Sequence, residues 1–131
     1  MSARGGGILI VDDSRAMRAY LRNILKGFGA RLLEAGSGTE ALEALRPSPP
    51  VDLFVVDWNL PGMDGVSLVR ELRRIPAYAA SRFLMVTTEV EPAQVREALE
   101  AGVQEYLMKP FTPEMVLEKL LLLGLEPPQG P

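Results

Sequence analysis

The stretch VDLFVVDWNLPGMDG, residues 51–65, reads as a strand, a turn and the start of a helix. Apart from Asp52, the run 51–56 is apolar and rich in β-branched residues, which is typical of a strand buried on both faces of a sheet. Asp57 ends the run, a Pro/Gly-rich turn follows, and Asp64 is suited to cap a helix that begins at Gly65. A strand followed so closely by a helix predicts a βα unit of a parallel sheet.

The same alternation recurs on both sides of this stretch and gives five βα units. Continuous apolar runs predict the other strands, and apolar stripes at helical spacing predict the helices. The predicted strands are 7–11, 31–34, 51–56, 83–86 and 104–108, and the predicted helices start near Ser14, Ser37, Asp64, Pro92 and Thr112. Repeated βα units favour an α/β fold with a doubly wound, five-stranded parallel sheet.

Length and composition are those of a single domain spanning residues 1–131. The chain is 47 % hydrophobic, which is enough apolar content to build a core without disulfides or structural metals. We expect the core to occupy about residues 7–123 and the segment 124–131 to form a tail. At the start of the second helix, Ser37 and Glu40 have the spacing of a capping box.

Missing residue types and low charge exclude several classes of protein. The chain has no cysteine and no histidine, so it carries neither disulfides nor the commonest catalytic and metal-binding side chain. A net charge of −3 disfavours nucleic-acid binding. The apolar runs are too short to span a bilayer, and the first residues lack the apolar region of a signal peptide, so we expect a cytoplasmic protein without membrane insertion.

A set of polar residues shares one position, directly after the predicted strands. The carboxyl ends of parallel strands lie at one edge of a sheet, and ligands of open α/β sheets bind at that edge. We therefore expect these side chains to converge in one crevice. They are Asp12 and Asp13, Asp57, Thr87 and Thr88, and Lys109.

The predicted crevice favours phosphate chemistry assisted by magnesium. Three carboxylates brought together repel one another unless a cation joins them, and oxygen ligands without histidine or cysteine select Mg²⁺. A lysine ammonium and a threonine hydroxyl are suited to hold a phosphoryl group. Asp57 is the candidate nucleophile, because an aspartate in this setting can attack phosphorus and form an acyl phosphate.

These residues resemble the receiver domain of two-component response regulators over about residues 7–123. The resemblance rests on Asp12 and Asp13, on Asp57 within VVDWNLPGMDG, on Thr87 and on the run Lys109-Pro110-Phe111. It implies a (βα)₅ flavodoxin-like fold with the strand order 2-1-3-4-5, the order known from flavodoxin and CheY. It also implies a cis peptide bond between Lys109 and Pro110.

The resemblance assigns a role to each of these residues. Asp57 would accept the phosphoryl group, and Thr87 and Lys109 would hold it. Mg²⁺ would be bound by Asp13, Asp57 and the backbone carbonyl of Asn59, while Asp12 would act mainly through a bound water. The protein would not be an enzyme toward other substrates, since it would catalyse only its own phosphorylation and dephosphorylation.

Within this family the chain is similar to stand-alone chemotaxis receivers of the CheY type. The similarity includes Trp58, Asn59, Glu89, Tyr106 and Lys119, and we expect a receiver without an output domain. It implies a monomer that receives its phosphoryl group from a histidine kinase and then binds a downstream protein such as a flagellar-motor component. The binding surface would be the fourth helix, fifth strand and fifth helix.

The same similarity implies a switch. Tyr106 would move inward when Thr87 is drawn toward the phosphoryl group. Asn59 and Glu89 resemble the pair found in members that lose their phosphoryl group quickly. Thr88 stands where such members usually carry a small alanine, and its bulk would slow access to Asp57.

Other interpretations of the same residues compete with this one. The chain could be a stand-alone receiver in a phosphorelay unrelated to motility, a flavodoxin-like cofactor binder or a Mg²⁺-dependent phosphohydrolase. A flavodoxin-like protein would need a phosphate loop after the first strand, where this chain has Asp12 and Asp13. Asp12 and Asp13 could also simply cap a helix, and Tyr106 and Trp58 could serve packing alone. Arg70, Arg73 and Arg74 are predicted to form the solvated face of the third helix.

Overall fold

Five strands and five α-helices alternate along the part of the chain that the structure describes. The structure is a computed structural model that describes residues 6–88 and 90–126. The strands are β1 (Gly7–Val11), β2 (Arg31–Ala35), β3 (Leu53–Val56), β4 (Arg82–Thr87) and β5 (Glu105–Met108). The helices are α1 (Arg15–Leu25), α2 (Gly38–Ala44), α3 (Gly65–Arg73), α4 (Pro92–Ala101) and α5 (Pro113–Leu122). The alternation predicted from the sequence is confirmed.

All strands are parallel and follow the order β2-β1-β3-β4-β5. The central strand pairs show the register: Ile8 of β1 lies beside Leu32 of β2 and beside Leu53 of β3. This arrangement confirms the doubly wound five-stranded sheet and the strand order that the resemblance implied. It also brings the carboxyl ends of β1, β3, β4 and β5 to one edge.

Alternate side chains of the strands feed two hydrophobic clusters, one on each face of the sheet. On one face the strands pack against α1 and α5; the buried residues include Ile8, Ile10, Leu53, Val55, Leu84, Val86, Leu107, Leu21, Leu25, Val116 and Leu120. On the other face they pack against α2, α3 and α4; the buried residues include Leu9, Val11, Phe54, Val56, Phe83, Met85, Ala41, Val66, Val69, Leu72 and Ala98. The continuous apolar character of the strands reflects this burial on both faces.

The helix ends match the local sequence closely. Ser14, Asp64 and Thr112 cap α1, α3 and α5 by accepting a backbone N–H from three residues further on. Gly102 ends α4 with a left-handed φ of 118°, a conformation that favours glycine. The predicted capping box of α2 is only half formed: the Ser37 hydroxyl accepts the N–H of Glu40, but Glu40 accepts the N–H of Gly36 rather than that of Ser37.

A short 3₁₀ helix, Pro76–Tyr78, lies between α3 and β4 and was not predicted. Its Tyr78 ring is fully buried against Phe54, and its O–H donates to the Pro49 carbonyl at 2.9 Å. Burial raises the pKa of the Tyr78 phenol. The 3₁₀ helix lies in the connection before β4, and the bond from Tyr78 to Pro49 ties it to the connection before β3.

The prediction that the three arginines of α3 form a solvated face is wrong for Arg73. The guanidinium lies 4.2 Å from the centre of the Phe83 ring and donates to the carbonyls of Ala79, Ser81 and Gly102. Burial, and then the positive charge of Arg82, lower the pKa of Arg73. The side chain therefore ties α3 to β4 and to the end of α4.

The core extends beyond the predicted boundary at Leu123. Leu125 is fully buried, and its N–H donates to the Leu120 carbonyl at 2.9 Å. The start of the expected tail is thus packed against α5, and residues 127–131 lie outside the described residues. Among the helices of the described ranges, none combines the length and the apolar character needed to cross a membrane.

Candidate functional site

Three polar residues of the site are held by hydrogen bonds that extend the sheet by one residue. The N–H of Asp12 donates to Ala35 of β2, that of Asp57 to Val11 of β1 and that of Lys109 to Thr87 of β4. Each residue therefore starts its side chain from a fixed backbone position at the carboxyl edge of the sheet. The predicted convergence is observed for Asp12, Asp13, Asp57 and Lys109.

Three carboxylates meet at this edge. One oxygen each from Asp12, Asp13 and Asp57 lies within 4.8 Å of the others. Asp12 and Asp57 are buried, with 2 % and 6 % of their surfaces exposed, whereas Asp13 is exposed. The cluster thus has two acids fixed in the crevice and one at its mouth.

Lys109 reaches into the cluster from the end of β5. Its Nζ lies 2.8 Å from Asp12 Oδ2 and 3.0 Å from Asp57 Oδ2. The remaining oxygens of the two acids accept backbone N–H groups, Asp12 Oδ1 from Ser14 and Asp57 Oδ1 from Asn59. The peptide bond that follows Lys109 is cis, as the resemblance implied.

Burial and the neighbouring charges shift two pKa values in the cluster. Burial raises the pKa of the Asp57 carboxyl, and this effect exceeds the opposing hydrogen bond and positive charge of Lys109. Burial alone would lower the pKa of the Lys109 ammonium, but its hydrogen bonds to Asp12 and Asp57 and their negative charges outweigh burial and raise it. Lys109 is therefore cationic, and the Asp57 carboxylate is costly to bury.

The turn after Asp57 brings the start of α3 against the backbone of the acid. The N–H of Gly65 donates to the Trp58 carbonyl at 2.8 Å. A Cβ atom at Gly65 would lie 2.1 Å from the Asp57 carbonyl oxygen, so only glycine allows this approach. Trp58 belongs to the hydrophobic cluster beneath, which agrees with its packing interpretation.

The threonines after β4 differ in their surroundings. Thr87 is fully buried, and its carbonyl accepts the N–H of Lys109 at 2.9 Å. Thr88 is exposed. Glu89, named with Asn59 as a candidate for phosphoryl turnover, lies outside the described residues. Asn59 is exposed and contributes its N–H to Asp57.

The candidate switch residues lie on the neighbouring surface. Tyr106 of β5 is partly buried and packs against the hydrophobic cluster beneath α2, α3 and α4. Lys119 of α5 forms an ion pair with Glu105, with Nζ 3.1 Å from Oε1. Lys119 therefore links α5 to β5. This ion pair does not bring it to the cluster of Asp12, Asp13 and Asp57.

Sequence reasoning missed Arg18. Its guanidinium donates to the Asp12 carbonyl at 2.5 Å and to Glu34 Oε1 at 3.0 Å. Arg18 thereby fixes the backbone of the acid from α1, and Glu34 of β2 orients the arginine. Helix α1 contains no acidic residue that could pair with Arg18. Glu34 on β2 was therefore the sequence feature that could have indicated a partner for this arginine.

The donor atoms fit a hard divalent cation. All three clustered side chains offer oxygen, which is the ligand type that Mg²⁺ prefers. Burial raises the pKa of Asp57 because the carboxylate loses hydration, and Lys109 does not fully offset this effect. A bound cation would offset it further, so the arrangement is suited to a metal.

Comparison with known proteins gives a consistent family. The "Response regulator receiver domain" family matches residues 8–121. A chemotaxis protein CheY homolog of Campylobacter jejuni is 43 % identical over 114 residues, covering 86 % of this chain and 88 % of the relative. Chemotaxis protein CheY1 of Helicobacter pylori is 41 % identical over 119 residues, covering 89 % of this chain and 96 % of the relative.

Solved structures with the same fold point the same way. Chemotaxis protein CheY4 of Vibrio cholerae superposes with a TM-score of 0.82 at 32 % identity, covering 89 % of this chain and 97 % of the other. A putative response regulator of Chloroflexus aurantiacus superposes with a TM-score of 0.79 at 34 % identity, covering 91 % of this chain and 98 % of the other. Sequence and fold therefore agree over nearly the whole domain.

Proposed function

The chain belongs to the response regulator receiver domain family, and from that membership we propose that it is a chemotaxis response regulator phosphorylated on Asp57. The observation that carries the proposal is the position of Asp57. Its carboxylate lies in a crevice, 3.0 Å from the Lys109 ammonium and clustered with two further acids. The relatives named for chemotaxis support the pathway.

Phosphoryl transfer to Asp57 forms one bond and breaks another. A carboxylate oxygen of Asp57 bonds to phosphorus while the bond from phosphorus to the donor breaks, and the electron pair leaves with the donor atom. Lys109 is placed to neutralise charge on the phosphoryl oxygens, and the Thr87 hydroxyl is the candidate donor of a hydrogen bond to them. Water later cleaves the acyl phosphate, which releases inorganic phosphate and restores the carboxylate.

Mg²⁺ is the proposed cofactor. Asp13, Asp57 and the backbone carbonyl of Asn59 would hold the ion, and Asp12 would act through a bound water. The bound ion supplies positive charge for the phosphoryl oxygens. In the absence of phosphate, Lys109 pairs with Asp12 and Asp57. Its ammonium therefore reduces the negative charge that these two acids present to the cation.

The proposed donor is a phosphorylated histidine on a partner kinase. The chain has no histidine of its own, so a phosphohistidine must come from another protein. Such a donor transfers its phosphoryl group from nitrogen to the Asp57 oxygen, and the imidazole nitrogen keeps the electron pair and takes up a proton. We place this exchange in the cytoplasm and propose that the receiver acts as a monomer without binding nucleic acid.

The proposed output is a change in the surface formed by α4, β5 and α5. Each of these elements carries an exposed large apolar side chain: Leu99 on α4, Met108 on β5 and Met115 on α5. Tyr106 lies on β5, two residues before Met108, and packs against the hydrophobic cluster beneath α4. A movement of Tyr106 coupled to Thr87 would alter this surface and its affinity for a downstream protein such as a flagellar-motor component.

Covalent labelling tests the proposed acceptor. The protein is incubated with acetyl phosphate and Mg²⁺, and intact mass and hydroxylamine sensitivity are measured. We expect one acyl phosphate, mapped to Asp57 and absent from Asp57→Asn. Asp64→Asn, which changes an exposed helix-capping acid, should still be labelled. Labelling of Asp57→Asn to the wild-type level would refute the assignment.

Hydrogen–deuterium exchange tests the proposed output without a partner protein. Phosphorylation should change exchange in peptides covering α4 and β5, and the change should be missing in Asp57→Asn. Exchange that changes only around the carboxylates would exclude a switch on this surface. The alternatives of a flavodoxin-like cofactor binder and a phosphohydrolase gain no support, because acids occupy the end of β1 and the relatives are receivers.

A further inference from the structure

Tyr20 connects α1 to the loop that follows Lys109. Its O–H donates to the Phe111 carbonyl at 3.0 Å, and its ring lies against the Phe111 ring with centroids 5.8 Å apart. The two residues are 91 positions apart in the chain. Tyr20 remains 38 % exposed, so burial of the ring is not what places it there.

The loop that Tyr20 contacts is short, and further contacts hold it at Lys109, Phe111 and Thr112. The N–H of Lys109 is bonded to the Thr87 carbonyl, and Phe111 is buried in the cluster beneath α1 and α5. Thr112 already caps α5. Two peptide bonds separate Lys109 from Phe111, so the position of the Phe111 carbonyl constrains the direction in which Lys109 leaves β5.

The same helix also fixes the acid that Lys109 contacts. At its first turn, the N–H of Ser14 donates to Asp12 Oδ1 at 2.8 Å, and Arg18 donates to the Asp12 carbonyl. Helix α1 therefore holds Asp12 at one point and, through Tyr20, the lysine loop at another. The 2.8 Å contact between Lys109 Nζ and Asp12 Oδ2 connects these two points directly.

We propose that Tyr20 is a positioning residue for Lys109: its hydroxyl, acting through the Phe111 carbonyl, sets the place of the ammonium beside Asp57. The inference rests on the proposed function, since it assigns Tyr20 to the same phosphorylation site. Small displacements of a charged group from its productive position lower reaction rates strongly. Loss of the hydroxyl should therefore slow phosphorylation without removing any group that touches phosphate.

The test compares two tyrosine-to-phenylalanine variants. Tyr20→Phe removes the bond to Phe111 and keeps the ring. Tyr78→Phe is the matched control, because it removes the same kind of bond, from a tyrosine hydroxyl to the Pro49 carbonyl at 2.9 Å, at the opposite edge of the sheet. Initial rates of acetyl phosphate labelling are measured against donor concentration, and Mg²⁺ affinity is measured by Trp58 fluorescence.

We expect Tyr20→Phe to lower the maximal labelling rate by about threefold or more. Its Mg²⁺ affinity should stay within about twofold of the wild-type value, because the carboxylates are unchanged. Tyr78→Phe should label at the wild-type rate at a temperature where it is folded. Equal rates for wild type and Tyr20→Phe, or an equal loss in both variants, would overturn the proposal.

A second measurement separates this inference from the proposed function. In amide NMR spectra without a phosphoryl donor, Tyr20→Phe should displace the resonances of Lys109 and Phe111, and Tyr78→Phe should leave them in place. Unmoved resonances in Tyr20→Phe would overturn the positioning role even if labelling occurs. Absence of labelling in the wild type, with the resonances displaced, would instead refute the proposed function and leave the positioning of Lys109 established.

Discussion

At the scale of single residues, burial of the Asp57 carboxylate is the property that links structure to chemistry. The backbone N–H of Asp57 donates to Val11 of β1, and its carboxylate accepts the N–H of Asn59 and shares Lys109 with Asp12. One ammonium thus faces two buried acids, with Asp13 close by. Without a further cation, ionised Asp57 is therefore unfavourable to the folded state.

We predict that Asp57→Asn is more stable than the wild type at neutral pH in the presence of EDTA. Asparagine keeps the shape of the side chain and removes the buried charge, so the free energy of unfolding should rise. Chemical denaturation with both proteins in the same buffer measures the difference. An Asp57→Asn protein less stable than the wild type would contradict the assignment of a charge penalty to Asp57.

The stability difference should depend on pH in a defined direction. The pKa of Asp57 is raised in the folded state, so the unfolded chain loses this proton first as the pH rises, and the wild type loses stability relative to the variant. The difference is therefore full above the raised pKa of the folded state and shrinks as the pH falls toward the ordinary pKa of an aspartate. A difference that grows on acidification would show that the pKa is lowered.

The acidic residues of the site could be predicted from the sequence, whereas their supports could not. Asp12, Asp13 and Asp57 follow buried strands, so the parallel sheet alone brings them to one edge. Arg18 and Tyr20 act through contacts with backbone carbonyls, and a carbonyl is present at every position. Residue types and spacing therefore contain no information about which carbonyl is used.

At the scale of secondary-structure elements, Arg73 joins parts of the chain that meet only after folding. Its guanidinium contacts the connection after α3, the start of β4 and the end of α4. The end of α4 leaves carbonyls without helical partners, and the partly buried Arg73 donates to the one at Gly102. The link therefore holds α3 and α4 together on one face of the sheet.

We predict that Arg73→Ala lowers the free energy of unfolding by about 2–4 kcal/mol, because it removes the donor to three partly exposed carbonyls and the contact with Phe83. Arg70→Ala is the matched control on the same helix. Arg70 is exposed and pairs with exposed Glu97, so its loss should cost less than about 0.5 kcal/mol. Equal effects in denaturant titrations would contradict the role given to Arg73.

Local sequence predicted the helix ends well because caps and glycines act on their immediate neighbours. Ser14, Asp64 and Thr112 lie at helix starts as predicted, and each caps its helix. The misassigned Arg73 has the opposite character, since Gly102 is 29 residues away in the chain. A cationic stripe on a helix looks the same in the sequence whether or not a neighbouring element covers it.

At the scale of the whole molecule, the hydrophobic core includes a residue that follows the last helix. Leu125 is fully buried in the cluster formed with α1 and α5, although the sequence placed it in a tail. The N–H of Leu125 returns to the Leu120 carbonyl, and Gly124 adopts a left-handed φ of 82°. The turn brings one more apolar side chain back to the sheet.

We predict that Leu125→Ala destabilises the protein by about 2–4 kcal/mol, the usual cost of a cavity at a buried leucine. Leu122→Ala is the control three residues earlier. Leu122 is 66 % exposed, so the change should stay within about 0.5 kcal/mol. Thermal or chemical unfolding measures both variants, and a Leu125→Ala protein as stable as Leu122→Ala would place residue 125 outside the core.

The strand order shows where sequence reasoning reaches its limit for the whole fold. Apolar runs and helix stripes predict five parallel strands, but they do not say which strands are neighbours. The position of β1 between β2 and β3 followed from the resemblance to receiver domains and is confirmed by the pairing. Neighbours depend on how helices cover both faces, which is a property of the folded chain.

Fluorescence of Trp58 tests the central claim most directly, since this residue follows Asp57 and is the single tryptophan of the chain. Mg²⁺ is titrated first and acetyl phosphate second, with Asp57→Asn measured in parallel. We predict a saturable response to Mg²⁺ and then a donor-dependent change that recovers spontaneously and is absent from Asp57→Asn. No response to Mg²⁺, or the same donor response in Asp57→Asn, would contradict phosphorylation of Asp57 in a magnesium site.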